Sequence, residues 1–291
     1  MRSALSLVMF MVLCSVTACA QDMNHNHNAP AAASPGATES QDWARQRLAK
    51  SPRHQEWVKI KNGSREVNSF VVYPENKDKA TAVIVIHEIF GMSDWVQSLT
   101  DQLAEAGYVA IAPDLLSGMG PNGGGTSSLT GNAVGQAIQD LPTDQITADL
   151  NAVADYISKV PASNGKIVVT GYCWGGGQSF RYATNNPRIK AAFVFYGSAP
   201  GGADGTPDKA ALAKITAPVY GFYAGNDARI NATLPKTIEA MTELKKTFEP
   251  VTYEGAGHGF MRAGEAPDAN EANKKARDDA WIRWKKLLAA I

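Results

Sequence analysis

The sequence predicts an α/β protein, with a mostly parallel central sheet opened by an N-terminal hairpin and covered by helices on both faces. Three observations carry this. Short apolar runs recur at 82–86, 108–112, 166–170, 191–196 and 219–223, with a weaker one at 251–253. Runs without polar interruption are buried on both faces, as in a parallel sheet under helices. Segments of helical period lie between them at 95–106, 146–160, 175–185 and 234–247, an alternation that builds layered α/β domains. Ahead of them, 57–60 and 67–73 flank a turn containing Asn62-Gly63, the dipeptide that tight hairpin turns favour.

A short helix over 42–50 precedes the hairpin. A last helix over 276–288 repeats Trp281, Trp284 and Leu288 at helical spacing, a stripe suited to core packing. One segment breaks the rhythm. Residues 117–143, with Gly118-Met119-Gly120-Pro121-Asn122-Gly123-Gly124-Gly125, are glycine-rich and poor in apolar residues. Long loops in compact domains are usually functional or disordered. This one follows a parallel strand at the sheet's carboxyl edge, where ligands bind, and reads as a substrate cap.

The N-terminus reads as an address. Met1-Arg2 precedes an apolar stretch too short for a membrane span, giving a signal peptide over 1–20. Its end has two readings: Val16-Thr17-Ala18-Cys19 resembles a bacterial lipobox with Cys19 as lipidated N-terminus, and Ala18-Cys19-Ala20 suits cleavage before Gln21. Either predicts export to the bacterial periplasm or a membrane face bordering it. Residues 21–41, rich in Asn, Ala, Pro and Ser, read as a disordered tether, and 42–291 as one domain. His25 and His27 are a weak metal signal. The 28 basic and 28 acidic residues balance, which excludes a nucleic-acid or broadly anionic partner. Membrane attachment is expected only through an N-terminal lipid, and a monomer is favoured.

Export removes Cys14, and Cys19 is then lipidated or lost, so Cys173 is the one thiol left with no intramolecular disulfide partner. It sits in Gly171-Tyr172-Cys173-Trp174-Gly175-Gly176, directly after Lys166-Ile167-Val168-Val169-Thr170. An apolar strand, Gly-x-Cys-x-Gly and then a helix is the layout of the nucleophile elbow of α/β-hydrolases. Such a nucleophile needs a base and an orienting acid, in chain order nucleophile, acid, histidine. His258, in Gly257-His258-Gly259 after the last strand, is placed to be the base. Asp227, just past the 219–223 strand, is the acid. Asp114 precedes the nucleophile and reads as structural. The loop after 82–86 supplies one oxyanion-hole amide and the residue after the nucleophile the other, hence the N–H groups of Ile89 and Trp174. Glu88 stands beside them, a carboxylate opposed to both thiolate and oxyanion.

Glu88-Ile89-Phe90-Gly91, Gly107-Tyr108 with Ala112-Pro113-Asp114-Leu115, the Cys173 elbow and Gly257-His258-Gly259-Phe260 together resemble the dienelactone hydrolase family, from about Gln55 to the C-terminus. The resemblance implies a triad of Cys173, Asp227 and His258, with Glu88 holding the thiol neutral until substrate displaces it. It also implies two arginines that grip a substrate carboxylate. One falls on Arg262; for the other, 115–147 contains no arginine or lysine. The sequence is thus expected to encode an exported hydrolase that opens a lactone or small ester through a cysteine thioester, without cofactor or metal. Thioesterase or general carboxylesterase activity, or a non-catalytic envelope lipoprotein that binds through the fold, are the alternatives.

Overall fold

A computed structural model of the protein describes residues 41–76 and 78–291. The expected signal peptide, Cys19, His25 and His27, and the tether as far as residue 40 lie outside the described residues. Eight strands form one sheet: β1 (Gln55–Asn62), β2 (Arg65–Val72), β3 (Ala80–Ile86), β4 (Val109–Pro113), β5 (Ser163–Tyr172), β6 (Ala192–Phe195), β7 (Val219–Ala224) and β8 (Phe248–Tyr253). Their order is β1-β2-β4-β3-β5-β6-β7-β8. β2 pairs antiparallel with β1 and β4, and every other pairing is parallel.

The helices are α1 (Asp42–Ala49), α2 (Asp94–Glu105), α3 (Asn132–Gln139), α4 (Thr143–Ile157), α5 (Trp174–Asn185), α6 (Lys209–Leu212), α7 (Ala228–Asn231), α8 (Leu234–Glu243), α9 (Phe260–Ala263) and α10 (Glu271–Ala289). Strand alternation divides the core in two. Ile84 and Ile86 of β3 pack with α4, α5 and α8, whereas Val83 and Val85 pack with α2 and α10. Trp284 and Leu288 are buried in the second layer, so the C-terminal tryptophan stripe is core. Among the described residues no helix is long and apolar enough to cross a membrane.

The 117–143 segment departs from its reading as an extended glycine loop. It holds two 3-10 turns and α3, whose Ile138 is buried. Gly131 and Gly135 and the lack of charge mask the helical period of Val134 and Ile138 in the sequence, because glycine is a poor helix former. Asp114 organises this segment. It accepts hydrogen bonds from Leu116 N (3.1 Å), Thr126 N (2.8 Å) and Thr126 Oγ1 (2.7 Å). Thr126 Oγ1 in turn accepts from Met92 N at 3.1 Å, stitching the segment to the loop after β3.

Candidate active site

Cys173 occupies the single residue between β5 and α5, with φ 56° and ψ −118°. A left-handed non-glycine residue there costs about 1–3 kcal/mol and persists because its neighbours leave no alternative. Cys173 N donates to Phe195 O at 3.1 Å, extending the β5–β6 pairing into the turn. The flanking glycines are steric requirements: a Cβ on Gly171 would lie 1.9 Å from Gly175 O, and one on Gly175 would lie 2.3 Å from His87 O. The thiol therefore stands at the carboxyl edge of the sheet and at the N-terminus of a twelve-residue helix, whose dipole favours negative charge.

His258 lies between β8 and α9, in a loop anchored where Gly257 N donates to Asn273 Oδ1 at 2.8 Å. Its Nδ1 is 2.5 Å from Asp227 Oδ2. Asp227 follows the end of β7 by three residues and is buried, and its other oxygen accepts from Ile230 N to cap α7. Burial alone would raise the Asp227 pKa, but hydrogen bonding and ion pairing with His258 outweigh it and hold the carboxyl below its ordinary value. Burial opposes protonation of His258, yet the hydrogen bond to Asp227 and the interaction with Cys173 raise it to about 9. With Nδ1 on Asp227, Nε2 is the nitrogen left for the sulfur.

The loop after β3 completes the site. His87 is fully buried, its Nδ1 2.9 Å from Glu88 O and its Nε2 accepting from Leu115 N at 3.4 Å. Burial lowers its pKa, and the neutral ring stacks on Trp174 at 5.5 Å. These bonds fix the turn that carries Ile89. Among the described residues the N–H groups of Ile89 and Trp174 donate to no other backbone group, which leaves both available as donors.

Glu88 and Arg262 meet. Arg262 Nε donates to Glu88 Oε2 at 2.8 Å, and the guanidinium lies over the Phe90 ring at 5.1 Å. Both residues are buried. The sequence reading set Glu88 against the thiol and Arg262 against a substrate anion; here each is engaged with the other. No hydrogen bond links Glu88 to Cys173 among the described residues. Arg181, a further cation in this part of the chain, is committed to Thr143 O and Thr147 Oγ1 at 2.8 and 2.9 Å. The described residues contain no cluster of His, Cys, Asp and Glu able to hold a metal ion.

The profile of the dienelactone hydrolase family matches residues 67–291. The chain belongs to the dienelactone hydrolase family. A Salmonella typhi protein named "Putative carboxymethylenebutenolidase" is 33% identical over 223 residues, spanning 75% of this chain and 80% of its own. A protein of the same name from Saccharolobus solfataricus is 31% identical over 258 residues, spanning 78% of this chain and 95% of its own. The crystal structure of a "Putative Dienelactone Hydrolase" from Klebsiella pneumoniae has a TM-score of 0.71 at 27% identity, covering 82% of this chain and 99% of that one. The chain is thus a hydrolase of the dienelactone hydrolase family, with the expected α/β-hydrolase sheet.

Within this dienelactone hydrolase family site, one residue escaped the sequence reading. Tyr196 follows β6 with φ 40° and is fully buried, and its hydroxyl has no hydrogen-bond partner among the described residues. Its ring meets His258 edge-on at 5.0 Å and Phe260 at 5.3 Å. Burial, then the charge of Glu88, raises its pKa well above the ordinary value. The available signal was its place at the carboxyl end of the strand beside the nucleophile's, the edge where ligands bind.

Proposed function

We propose that the protein hydrolyses a lactone or small carboxylic ester through a thioester on Cys173. The observation that carries this reading is the His258–Asp227 hydrogen bond at 2.5 Å beside a thiol held in an elbow. In the first half-reaction Cys173 Sγ attacks the substrate carbonyl carbon and its proton passes to His258 Nε2. The oxyanion is received by the N–H groups of Ile89 and Trp174, each worth roughly 3 kcal/mol. Collapse breaks the acyl C–O bond, and the leaving oxygen takes the proton from His258. With a lactone that oxygen stays tethered to the acyl chain. Water, deprotonated by His258, then attacks the thioester and frees the acid and the thiol. Asp227 keeps Nδ1 protonated and the imidazole oriented throughout.

Glu88 gates the thiol in this scheme. At rest it would keep Cys173 protonated, and Arg262, its ion-pair partner here, would receive it when it leaves the thiol. A substrate anion would draw on the remaining N–H groups of Arg262. Arg262 is already neutralised by Glu88, and 115–147 has no second cation. An uncharged ester or lactone therefore suits the site at least as well as the butenolide acid implied by the relatives' name. The same argument keeps a thioesterase or general carboxylesterase as the second reading.

The test is incubation with an activated aryl ester followed by mass spectrometry. Acylation of Cys173 that disappears in Cys173→Ala supports the mechanism. Turnover that survives in Cys173→Ala removes it, and the absence of both acylation and turnover favours a non-catalytic binding protein. A panel of lactones and neutral esters then ranks substrates. Export by the 1–20 signal, and lipidation at Cys19, are part of the same proposal. Metabolic labelling with palmitate in a bacterial host, lost in Cys19→Ser, separates an anchored protein from one cleaved before Gln21.

A further inference from the structure

We propose that Thr126 is a positioning residue: through the Glu88–Gly91 turn it fixes the Ile89 N–H group that receives the oxyanion. The proposal deepens the thioester reading above and rests on it for the role of Ile89.

The turn has little to hold it from within. Gly91 N donates to Glu88 O at 3.1 Å, which leaves Ile89 and Phe90 as its central residues. Gly91 has φ 69°, in the left-handed region that favours glycine. Because Ile89 N donates to no backbone group among the described residues, the direction of its N–H is set by the turn and by whatever holds the turn's ends.

Both ends are tied to the corner that follows β4. At one, His87 Nε2 accepts from Leu115 N at 3.4 Å. At the other, Met92 N donates to Thr126 Oγ1 at 3.1 Å. Thr126 in turn is bound twice by Asp114, through its hydroxyl at 2.7 Å and its N–H at 2.8 Å. A hydroxyl has one hydrogen to give. Met92 N–H can only donate, so that hydrogen goes to the buried Asp114 carboxylate, and the relay from Met92 through Thr126 to Asp114 has one direction.

Shape adds to the hydrogen bonds. A Cβ on Gly91 would lie 2.4 Å from Thr126 Oγ1 and 2.6 Å from Thr126 Cγ2, so the threonine side chain fills the space that glycine leaves. The same segment reaches Ile89 a second time: a Cβ on Gly135 would stand 3.8 Å from Ile89 Cγ1, which sets α3 beside that side chain. The glycine-rich segment therefore does more than border the site; one of its hydroxyls anchors the backbone that carries the donor.

The experiment uses the full chain, with circular dichroism verifying the fold of each variant. Losing an oxyanion donor costs roughly a hundred- to a thousandfold in kcat and displacing one costs less, so Thr126→Val is expected to lower kcat for an activated aryl ester about tenfold, with KM within about twofold. Thr126→Ser keeps the hydroxyl and is expected to restore most of that rate, while Thr126→Ala repeats the loss without the bulk of valine. The Gly91 amide closes the turn without bonding to Thr126, and its hydrogen exchange is expected to quicken about tenfold in Thr126→Val. Wild-type kcat in Thr126→Val, a serine variant that restores nothing, or unchanged Gly91 exchange each overturns the proposal. Ser128→Ala breaks the bond from Ser128 Oγ to Gly125 O at 2.7 Å in the same segment; an equal fall in kcat there overturns it too, since general loosening would then be the cause. A wild type that neither turns over the ester nor is acylated removes the thioester reading instead. Gly91 exchange then decides alone: faster in Thr126→Val supports Thr126 as the anchor of the turn, and unchanged overturns it.

Discussion

Arg262 Nε donates to Glu88 Oε2 at 2.8 Å, joining two buried side chains that stand 174 positions apart in the sequence. Removing one partner of such a pair leaves an uncompensated buried charge, at a cost of about 3–5 kcal/mol. Arg262→Met is expected to lower the unfolding free energy measured in urea by that amount, and Glu88→Gln/Arg262→Met to recover most of it. A double variant no more stable than Arg262→Met would show that the guanidinium acts by packing rather than by charge.

The same pair bears on oxidation. Thiolate climbs the ladder from sulfenic to sulfonic acid far more readily than thiol, so a carboxylate that keeps Cys173 protonated protects it. Glu88→Gln is expected to lose activity to peroxide faster than the wild type. An unchanged inactivation rate would remove the gating role.

Asp227→Asn keeps the shape of the side chain but reverses the hydrogen bond to His258 Nδ1. By analogy with other triads, kcat is expected to fall by roughly a hundred- to ten-thousandfold, with the circular dichroism spectrum intact. A loss of less than tenfold would mean that Asp227 caps α7 and does little for the imidazole.

The pH dependence follows from His258. Its folded pKa of about 9 lies above the ordinary 6.5, so its stabilisation is fully present below pH 6.5 and is lost as pH rises through about 9. The unfolding free energy of the wild type relative to His258→Gln should shrink by something on the order of 2 kcal/mol between pH 6 and pH 10. A gap that widens with pH would contradict the sign of the shift.

Gly175→Ala would place a methyl 2.3 Å from His87 O and 2.5 Å from Ile86 O. Both are backbone atoms that cannot swing aside. The expected result is loss of soluble folded protein, or of about 3 kcal/mol or more. Near-native melting would show that the β3 loop can retreat from the elbow.

Much of this molecule was legible in the sequence because its signals are local. Continuous β-branched runs marked β3 and β5 within a few residues, an aromatic-rich apolar run marked β7, and Asn62-Gly63 marked the hairpin. Gly-x-Cys-x-Gly located the elbow, since backbone crowding there admits no other residue at Gly171 or Gly175. The weaker failures have local causes too. α3 hid because Gly131 and Gly135 lower helix propensity, and α7 and α9 are too short to show a period.

What the sequence determined by itself was the fold, the family and the positions of Cys173, Asp227 and His258, all carried by periodicity and by short motifs at strand ends. Tertiary structure decided which groups touch, His258 on Asp227, Glu88 on Arg262 and Thr126 on Asp114, and left the Tyr196 hydroxyl without a hydrogen-bond partner among the described residues. The physical reason is range. Burial and strand pattern are written within a few residues, whereas an ion pair between Glu88 and Arg262 exists only after β3 and α9 are brought to the same edge of the sheet.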